Sequence, residues 1–303
     1  MIMRSQSAME YLMTYGWAIL VIAVILGVLF QLGVFGSASL APKAKAGQCQ
    51  VQILGSGSST THQLAGLCSP ELPQYVAQLS GTGAVTATVP SSLTPSTGYT
   101  VTLWFERTWS TNDGVTHGIF SVGGGCGFPG SSGGSCDYNT IEIFKYQTNQ
   151  WYFRTWSPNG PNCDINIPDS SISGSVWHQI TFEDVSGSQL SVWIDDGTPT
   201  TCSQSSTVTA WQTSNMYIGE GYGPSSLIGS IANLQLYNTT LSTAEVQALY
   251  QEGIGGAPIR PQNLVGWWPL NGNFNDYSGD NDNGQGASVG FSGAWSSTYS
   301  GPA

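Results

Sequence analysis

Charged residues are scarce in this sequence. Asp, Glu, Lys and Arg together make up 8% of its 303 residues, and only seven of these are Lys or Arg. A nucleic-acid-binding surface needs clustered basic side chains, and the seven found here are scattered along the chain, so that class of function is excluded. Aromatic residues, in contrast, reach 11%. That content, together with the low charge, excludes an intrinsically disordered chain.

Sequence signatures of catalysis and of zinc binding are missing as well. The chain has no paired His of the metalloprotease type, no phosphate-binding loop and no Cys-x-x-Cys. Glu183 and Asp184 are adjacent in a predicted strand-to-turn stretch, so their side chains are expected to point apart, whereas glycosidases need two carboxylates that face each other. The lone His178 is predicted to pack beside Trp177. The sequence therefore predicts a protein that is not an enzyme.

One long apolar run lies near the start of the chain. Between Tyr11 and Phe35 only Thr14 and Gln31 are clearly polar, and no residue is charged. As a helix, about 25 residues at ~1.5 Å each span roughly 37 Å, enough to cross a hydrocarbon core of ~30 Å. A cleaved secretory signal has a shorter apolar region of ~7–15 residues. Residues 6–36 are therefore predicted to form a transmembrane helix.

The residues just before this apolar run indicate whether the helix is an uncut membrane anchor or follows a leader that is removed by cleavage. The segment RSQSAME at residues 4–10, followed by the apolar helix, resembles the class III signal sequence of archaeal type IV pilins and archaellins. The resemblance implies that prepilin peptidase removes the leader, residues 1–5, by cleavage between Ser5 and Gln6. Glu10, an acid near the new helix N-terminus, is favourable to the helix dipole and would assist helix assembly. The helix would first lie in the membrane and then pack against identical subunits.

Six cysteines follow the apolar run, and their even number predicts disulfides in an oxidising compartment. They are Cys49, Cys68, Cys126, Cys136, Cys163 and Cys202. Sequence proximity favours the pairs Cys49–Cys68 and Cys126–Cys136, which leaves Cys163 for Cys202. The other connectivities among the six remain open.

Residues 74–237 alternate between apolar and polar side chains in short segments bounded by Gly, Pro, Asn, Asp or Ser. This pattern predicts β-strands, and their number favours a two-sheet sandwich because stacking buries one face of each sheet. Asp195-Asp196-Gly197 is a hairpin turn signal. The predicted strands are residues 84–89, 99–105, 118–122, 140–144, 150–156, 177–182, 189–194 and 228–237.

Three segments resemble laminin G-like, concanavalin A-like jelly rolls, namely residues 177–201, 228–237 and 241–250. The last of them is predicted to be a short helix, because Ser242 and Glu245 have the spacing of a capping box. The resemblance implies a mainly β fold in which residues 48–303 form one jelly-roll domain. Residues 37–47, rich in small side chains, are predicted to link this domain to the transmembrane helix.

Residues 264–279 resemble the opening strand of these domains, yet here they follow the closing helix. The jelly roll is therefore interpreted as circularly permuted, with residues 264–303 supplying the first strand. There are two alternatives. The segment could begin a second domain that is cut short, or it could donate a strand to a neighbouring subunit. Return of the segment to the chain's own sheet is favoured, because a linker rich in Gly and Pro at residues 253–262 lets the chain cross the sandwich locally.

Several residues are candidate ligand or modification sites. The jelly-roll resemblance implies calcium, and Asp276, Asp280 and Asp282 form an oxygen-rich loop that suits a hard cation; a solvated turn would explain the same residues. Asn238 begins the sequon Asn-Thr-Thr and is a glycosylation candidate. Most Trp residues fit core positions. Four aromatic residues on predicted loops could instead stack on sugar rings: Trp109, Trp156, Tyr222 and Trp295.

These features together predict a structural subunit of an extracellular archaeal type IV pilus-like filament at the cell surface. Its outer jelly roll would mediate adhesion or bind a glycan or another cell-surface ligand. A membrane-anchored, monomeric glycan-binding protein is the first alternative, and a membrane-tethered glycan hydrolase is the second.

Overall fold

The computed structural model describes residues 19–25, 49–52, 61–64, 72–123, 140–157, 160–185, 187–204, 208–221 and 225–301, with the backbone alone for 49–52, 61–64 and 160–162. The chain forms two units, Met1–Ala44 and Lys45–Ala303. In the first unit, residues 19–25 are helical. Within the described part of the chain, no helix is both long enough and apolar enough to span a membrane.

Most of the predictions for the N-terminal segment fall outside the described residues. These are the leader at residues 1–5, the cleavage site between Ser5 and Gln6, the position of Glu10, the linker at residues 37–47 and the rest of the predicted helix at residues 6–36.

The second unit is a mainly β structure, and every strand predicted from alternation is confirmed. Its strands are β1 (Cys49–Gln52), β2 (Thr61–Leu64), β3 (Val76–Thr88), β4 (Tyr99–Arg107), β5 (His117–Val122), β6 (Thr140–Tyr146), β7 (Gln150–Ser157), β8 (Gly160–Pro168), β9 (Trp177–Asp184), β10 (Gln189–Ile194), β11 (Thr200–Ser203), β12 (Asn215–Ile218), β13 (Ile228–Tyr237), β14 (Leu264–Trp268) and β15 (Gln285–Ser292). Strands β1 and β2 form a small antiparallel sheet of their own.

The other strands build a sandwich of two layers that share strand β3. The front layer runs β12-β5-β6-β7-β8, and the back layer runs β13-β4-β9-β10-β11 with β14 beside β13. Ala77–Ser80 of β3 pair with β13, whereas Val85–Thr88 pair with β12. Gly83, between these two halves, has φ +98° and lies so close to the Ala287 carbonyl that a Cβ atom would be 2.0 Å from its oxygen. Glycine therefore lets β3 pass from one layer to the other.

The hydrophobic core lies between the layers and contains inward-facing residues from both, such as Leu103 and Ile180 behind and Ile143 and Phe153 in front. The outer face of the back layer is also covered. The helix Thr243–Gln251 packs Val246 and Leu249 against it. The predicted capping box begins this helix, because the Glu245 N–H donates to Ser242 and the Ser242 N–H donates to Glu245.

The end of the chain returns to this sandwich. β14 pairs antiparallel with β13, and β15 pairs with β3. Trp268 lies in the core between the layers, whereas Trp267, one residue earlier, packs in the cluster under the helix. Both indoles are buried. Segment 264–303, interpreted above as the permuted first strand, thus pairs with strands of its own chain.

A disulfide joins Cys163 on β8 to Cys202 on β11, with the Cα atoms 6.2 Å apart. These strands are the outer edges of the front and back layers, so the bond closes one side of the sandwich. The prediction for this pair is confirmed. The predictions for Cys49–Cys68 and Cys126–Cys136 concern side chains outside the described residues.

Candidate functional site

The outer face of the front layer carries an unusual set of side chains. On β6 and β7, residues such as Ile143 and Phe153 point into the core, so their neighbours in sequence point outward. Across the four strands β5 to β8, the outward residues are aromatic, charged or hydroxyl-bearing. We call them the Arg154 face: Ser121, Thr140, Glu142, Phe144, Tyr152, Arg154, Trp156 and Asp164.

Strand register places four of these side chains in one row. Ser121 is opposite Glu142, Glu142 is opposite Arg154, and Arg154 is opposite Asp164. Directly opposite residues in antiparallel strands have Cβ atoms roughly 4.5–5.5 Å apart. The row therefore brings together residues that are separated by up to 43 positions in sequence (164 − 121).

Arg154 lies at the centre of the row and is held on several sides. Its Nη2 atom is 2.6 Å from Glu142 Oε2, and its Nε atom donates to the same oxygen. The guanidinium lies 4.9 Å from the ring centroid of Phe144 and 4.6 Å from that of Trp156. Because cation–π contacts act together with two charge-assisted contacts to one carboxylate oxygen, the side chain is fixed before any ligand arrives.

The face has a buried floor and a partly exposed rim. Glu142, Phe144 and Arg154 are at most 8% exposed, whereas Tyr152 and Trp156 are partly exposed. Phe144 and Tyr152 are stacked, with ring centroids 5.2 Å apart and planes 7° from parallel. Flat aromatic surface is thus presented beside polar groups, which is the combination that sugar rings require.

Four buried polar atoms on this face find no hydrogen-bond partner in the described part of the chain: Ser121 Oγ, Thr140 Oγ1, Trp156 Nε1 and Asp164 Oδ1. Such atoms are rare in folded proteins, because each costs the desolvation of a polar group. Burial also raises the pKa of Asp164, and the nearby Arg154 charge partly opposes this rise. The unpaired atoms are thus two hydroxyls, one N–H donor and one carboxyl acceptor, and all four are buried.

Of the four aromatic residues expected on loops, Trp156 lies on this face, but on strand β7 and not on a loop. The expectation was wrong for Trp109, which is buried and stacks on His117 at 3.9 Å, and for Trp295, which is buried against Trp177. Tyr222 lies outside the described residues. Alternation along β6 and β7 was the sequence signal that could have identified the outward side chains of these two strands.

A second concave region lies beside Trp211, which the sequence did not single out. Its volume is about 630 Å³. The Trp211 indole is oriented by its N–H, which donates to the Leu93 carbonyl at 2.6 Å. No lining residue is charged; they are Thr88, Val89, Pro90, Ser91, Leu93, Thr94, Pro95, Ser96, Thr209, Ala210, Trp211, Gln212, Thr213 and Ser214.

Of the three aspartates proposed for calcium, Asp276 accepts hydrogen bonds from nearby backbone N–H groups in this structure. Asp276 Oδ1 accepts from the Trp267 and Ser278 N–H groups, both at 2.9 Å. Asp276 Oδ2 accepts from the Ser278 hydroxyl and from the Asp282 N–H. Burial, followed by the charges of Asp276 and Asp280, raises the pKa of Asp282. Among the described residues, no group of three or more His, Cys, Asp or Glu could hold a metal ion, and calcium binding stays a prediction.

Glu183 and Asp184 contact different parts of the molecule. Glu183 accepts from the Leu241 N–H at 2.5 Å, and burial raises its pKa to about 7. Asp184 accepts instead from the Tyr99 hydroxyl and the Gln204 amide, both at 3.2 Å. The two carboxylates do not form a pair across a cleft, as a glycosidase would require.

His178 does not pack beside Trp177 as predicted. Consecutive residues of a strand point to opposite faces, so Trp177 joins an outer cluster while the His178 ring lies 6.3 Å from that of Phe105. Asn238, the glycosylation candidate, lies just after β13 and is partly exposed, and its side-chain oxygen accepts from Asn263. Its modification stays a prediction.

Part of the sequence is similar to a known protein family. Residues 79–247 match the sequence model of a family described as the concanavalin A-like lectin/glucanases superfamily. No curated protein matches the chain.

Three solved structures are similar to this chain at low sequence identity. A protein from Bacteroides ovatus, described as a candidate carbohydrate-binding protein, is 10% identical with a TM-score of 0.50, covering 77% of this chain and 66% of its own. The CBM40 domain of a Ruminococcus gnavus sialidase, solved with α2,3-sialyllactose, is 16% identical with a TM-score of 0.42, covering 59% and 98%. Domains LG4-5 of the mouse laminin α1 chain are 14% identical with a TM-score of 0.40, covering 60% and 44%. This chain thus spans less than two thirds of the length of the first and the third.

Proposed function

The chain belongs to the concanavalin A-like lectin/glucanases superfamily, and from this premise we propose that its sandwich binds a glycan through the Arg154 face. One observation carries the proposal. Four buried polar atoms without a described partner lie on the same face as partly exposed aromatic rings. The description of the Bacteroides relative as a candidate carbohydrate-binding protein agrees with it.

The chemistry of the face suits a sugar ring. Trp156 and Tyr152, which are partly exposed, can stack on the apolar side of a pyranose. The Glu142–Arg154 pair is already fixed by the flanking rings, so little side-chain entropy is lost on binding. We propose that the face binds the glycan chain without cleaving it.

Binding of the full-length chain in detergent to a glycan array, followed by calorimetry on the best ligand, tests this proposal. We expect Trp156→Ala to weaken binding by about tenfold or more, and Trp156→Phe by less, because it keeps the ring and loses only the N–H donor. The bound oligosaccharide is expected to be recovered intact.

Trp193→Phe is a matched control for this experiment. The Trp193 N–H is also buried without a described partner, but the residue lies in the cluster under the helix. Its replacement is expected to leave binding unchanged. Absence of binding to any glycan, or equal binding by Trp156→Ala and the wild type, would reject the proposal.

We further propose that this module is carried by a subunit of an extracellular filament. The support is the pilin-like segment at residues 4–10, followed by an uncharged run of membrane-spanning length. Prepilin peptidase would cut before Gln6, and identical subunits would then associate through their helices, for which small residues favour close packing. The outer sandwich would present the Arg154 face to glycans on other cells.

N-terminal sequencing of protein purified from the cell surface tests the filament proposal. We expect the mature chain to begin at Gln6 and to occur in filaments visible by electron microscopy. A chain that retains Met1 and never forms filaments would favour the anchored monomer instead. Neither outcome affects glycan binding by the sandwich, so the two proposals are tested separately.

A further inference from the structure

Three side chains on the back layer form a continuous chain of hydrogen bonds. The Ser173 hydroxyl lies 3.0 Å from His178 Nε2, and His178 Nδ1 lies 2.8 Å from Asp195 Oδ2. The carboxylate makes Nδ1 the protonated nitrogen, because it can only accept a hydrogen bond when ionised. Nε2 is then a bare acceptor that faces the serine hydroxyl.

The carboxylate is itself held in place. Asp195 Oδ1 accepts from the Gln179 N–H at 2.9 Å, and the Asp195 N–H donates to the Gln179 carbonyl at the same distance. Asp195 has φ +56°, a left-handed conformation at the turn after β10. Aspartate adopts this conformation more readily than most residues, and it is typical of tight hairpin turns. The turn thus fixes the acid against the imidazole.

Hydrogen bonds to Arg107 hold the loop that carries Ser173 in place. The guanidinium of Arg107 donates from Nε and Nη2 to the Ile172 carbonyl, at 2.9 and 2.6 Å. The Ser175 N–H donates to the Arg107 carbonyl, and Ser175 is also left-handed, with φ +57°. Ser173 lies between these anchors and is exposed, so its hydroxyl is both positioned and accessible.

Donors for an oxyanion lie next to this hydroxyl. Within the described part of the chain, neither the Ser173 N–H nor the Gly174 N–H donates to another residue. Two adjacent backbone N–H groups beside a nucleophile can bind the oxygen of a tetrahedral intermediate. The loop therefore supplies the nucleophile and two backbone N–H groups, whereas β9 supplies the base and the turn after β10 supplies the orienting acid; these are the parts that acyl transfer needs.

We propose that Ser173, His178 and Asp195 form a hydrolytic triad for small carboxylic esters. Ser173 Oγ forms a bond to the acyl carbon as its proton passes to His178 Nε2. The bond from that carbon to the alcohol oxygen then breaks, and His178 returns the proton to the departing alcohol. Water attacks the acyl-serine with His178 again as base, which releases the carboxylic acid and restores the serine hydroxyl.

The surroundings of the serine limit the acyl group. Ser173 is exposed, and its neighbours Gly174 and Ser175 are small and polar, so a long acyl chain would gain little apolar contact there. An acetyl ester, free or on a carbohydrate hydroxyl, is the substrate class that fits. This activity does not depend on the Arg154 face, and it departs from the prediction that the chain is not an enzyme.

Hydrolysis of p-nitrophenyl acetate and labelling by a fluorophosphonate probe, both on the full-length chain, test the triad. We expect mass spectrometry to place the label on Ser173. Ser173→Ala is expected to abolish labelling and to lower the hydrolysis rate at least about 100-fold. His178→Gln is expected to do the same, with its fold checked by circular dichroism.

Ser171→Ala is the matched control, because Ser171 is another exposed serine in the same segment. It is expected to keep both labelling and rate. The alternative is that the three bonds only tie the loop to the β9–β10 hairpin. Equal rates for the wild type and Ser173→Ala, or a label on any other residue, would establish that alternative and overturn the proposal.

Discussion

A chain that ends at residue 263 is expected not to form the sandwich. The missing segment contains Val265, Trp267, Trp268 and Leu270, all at most 3% exposed. Burial of one large apolar side chain stabilises a fold by about 1.5–3 kcal/mol, so these four account for roughly 6–12 kcal/mol. That sum is comparable with the whole stability of a typical domain, about 5–15 kcal/mol.

The truncated chain would also expose one edge of β13, which pairs with β14 in the full chain. Near-ultraviolet circular dichroism and limited proteolysis measure the loss of fixed tertiary packing. Adding residues 264–303 as a separate peptide is expected to restore part of the signal, because the segment pairs through its own backbone. A truncated chain with the spectrum and melting temperature of the full chain would contradict the pairing.

Thermal unfolding at several protein concentrations distinguishes return of the strand to the chain's own sheet from donation of the strand to a neighbour. In the structure the segment pairs within its own chain, so full-length protein is expected to keep its melting temperature on dilution. A strand supplied by a neighbour would make that temperature depend on concentration, since association contributes to stability by mass action.

Replacing Asp169 by alanine is expected to lower the free energy of unfolding by about 3–5 kcal/mol. Its carboxylate pairs with Arg107 at 3.3 Å, and neither side chain is exposed. It also accepts from the Trp151 indole and from the Asn112 N–H. Removal of the acid leaves a buried guanidinium without its counter-charge, which costs more than the pair itself contributes.

Urea unfolding of the full-length chain measures this effect. Asp169→Asn is expected to lose less stability than alanine, because the amide oxygen can still accept from the Trp151 indole. Asp196→Ala, at an exposed turn position, is expected to change the unfolding free energy by less than about 0.5 kcal/mol. A loss below about 1 kcal/mol for Asp169→Ala would show that the pair is not needed to stabilise the fold.

The strands could be predicted from sequence because their signal is local. Alternation of side chains reports directly which face of a strand is buried, and residues 99–105 and 177–182 both lie in strands as predicted. The capping box at Ser242 and Glu245 is local too, since its partners are three residues apart. The Cys163–Cys202 pair, in contrast, was inferred only after nearer cysteines had been paired.

Local alternation says which side chains point outward, but it does not say which strands are neighbours. Arg154 meets Glu142 and Asp164 because β7 lies between β6 and β8 with a particular register. His178 was placed beside Trp177 in the sequence interpretation, although a strand sends these two side chains in opposite directions. Its true partners, Ser173 and Asp195, come from a loop and a turn on either side.

The sequence by itself determined the strand segments and the capped helix, because each depends on residues close together along the backbone. The tertiary structure alone decided that β3 serves both layers, that the last strands return to β13 and β3, and that an arginine lies between two aromatic rings. Those features depend on register and on contacts between distant segments, whose free energy arises only when the layers pack together.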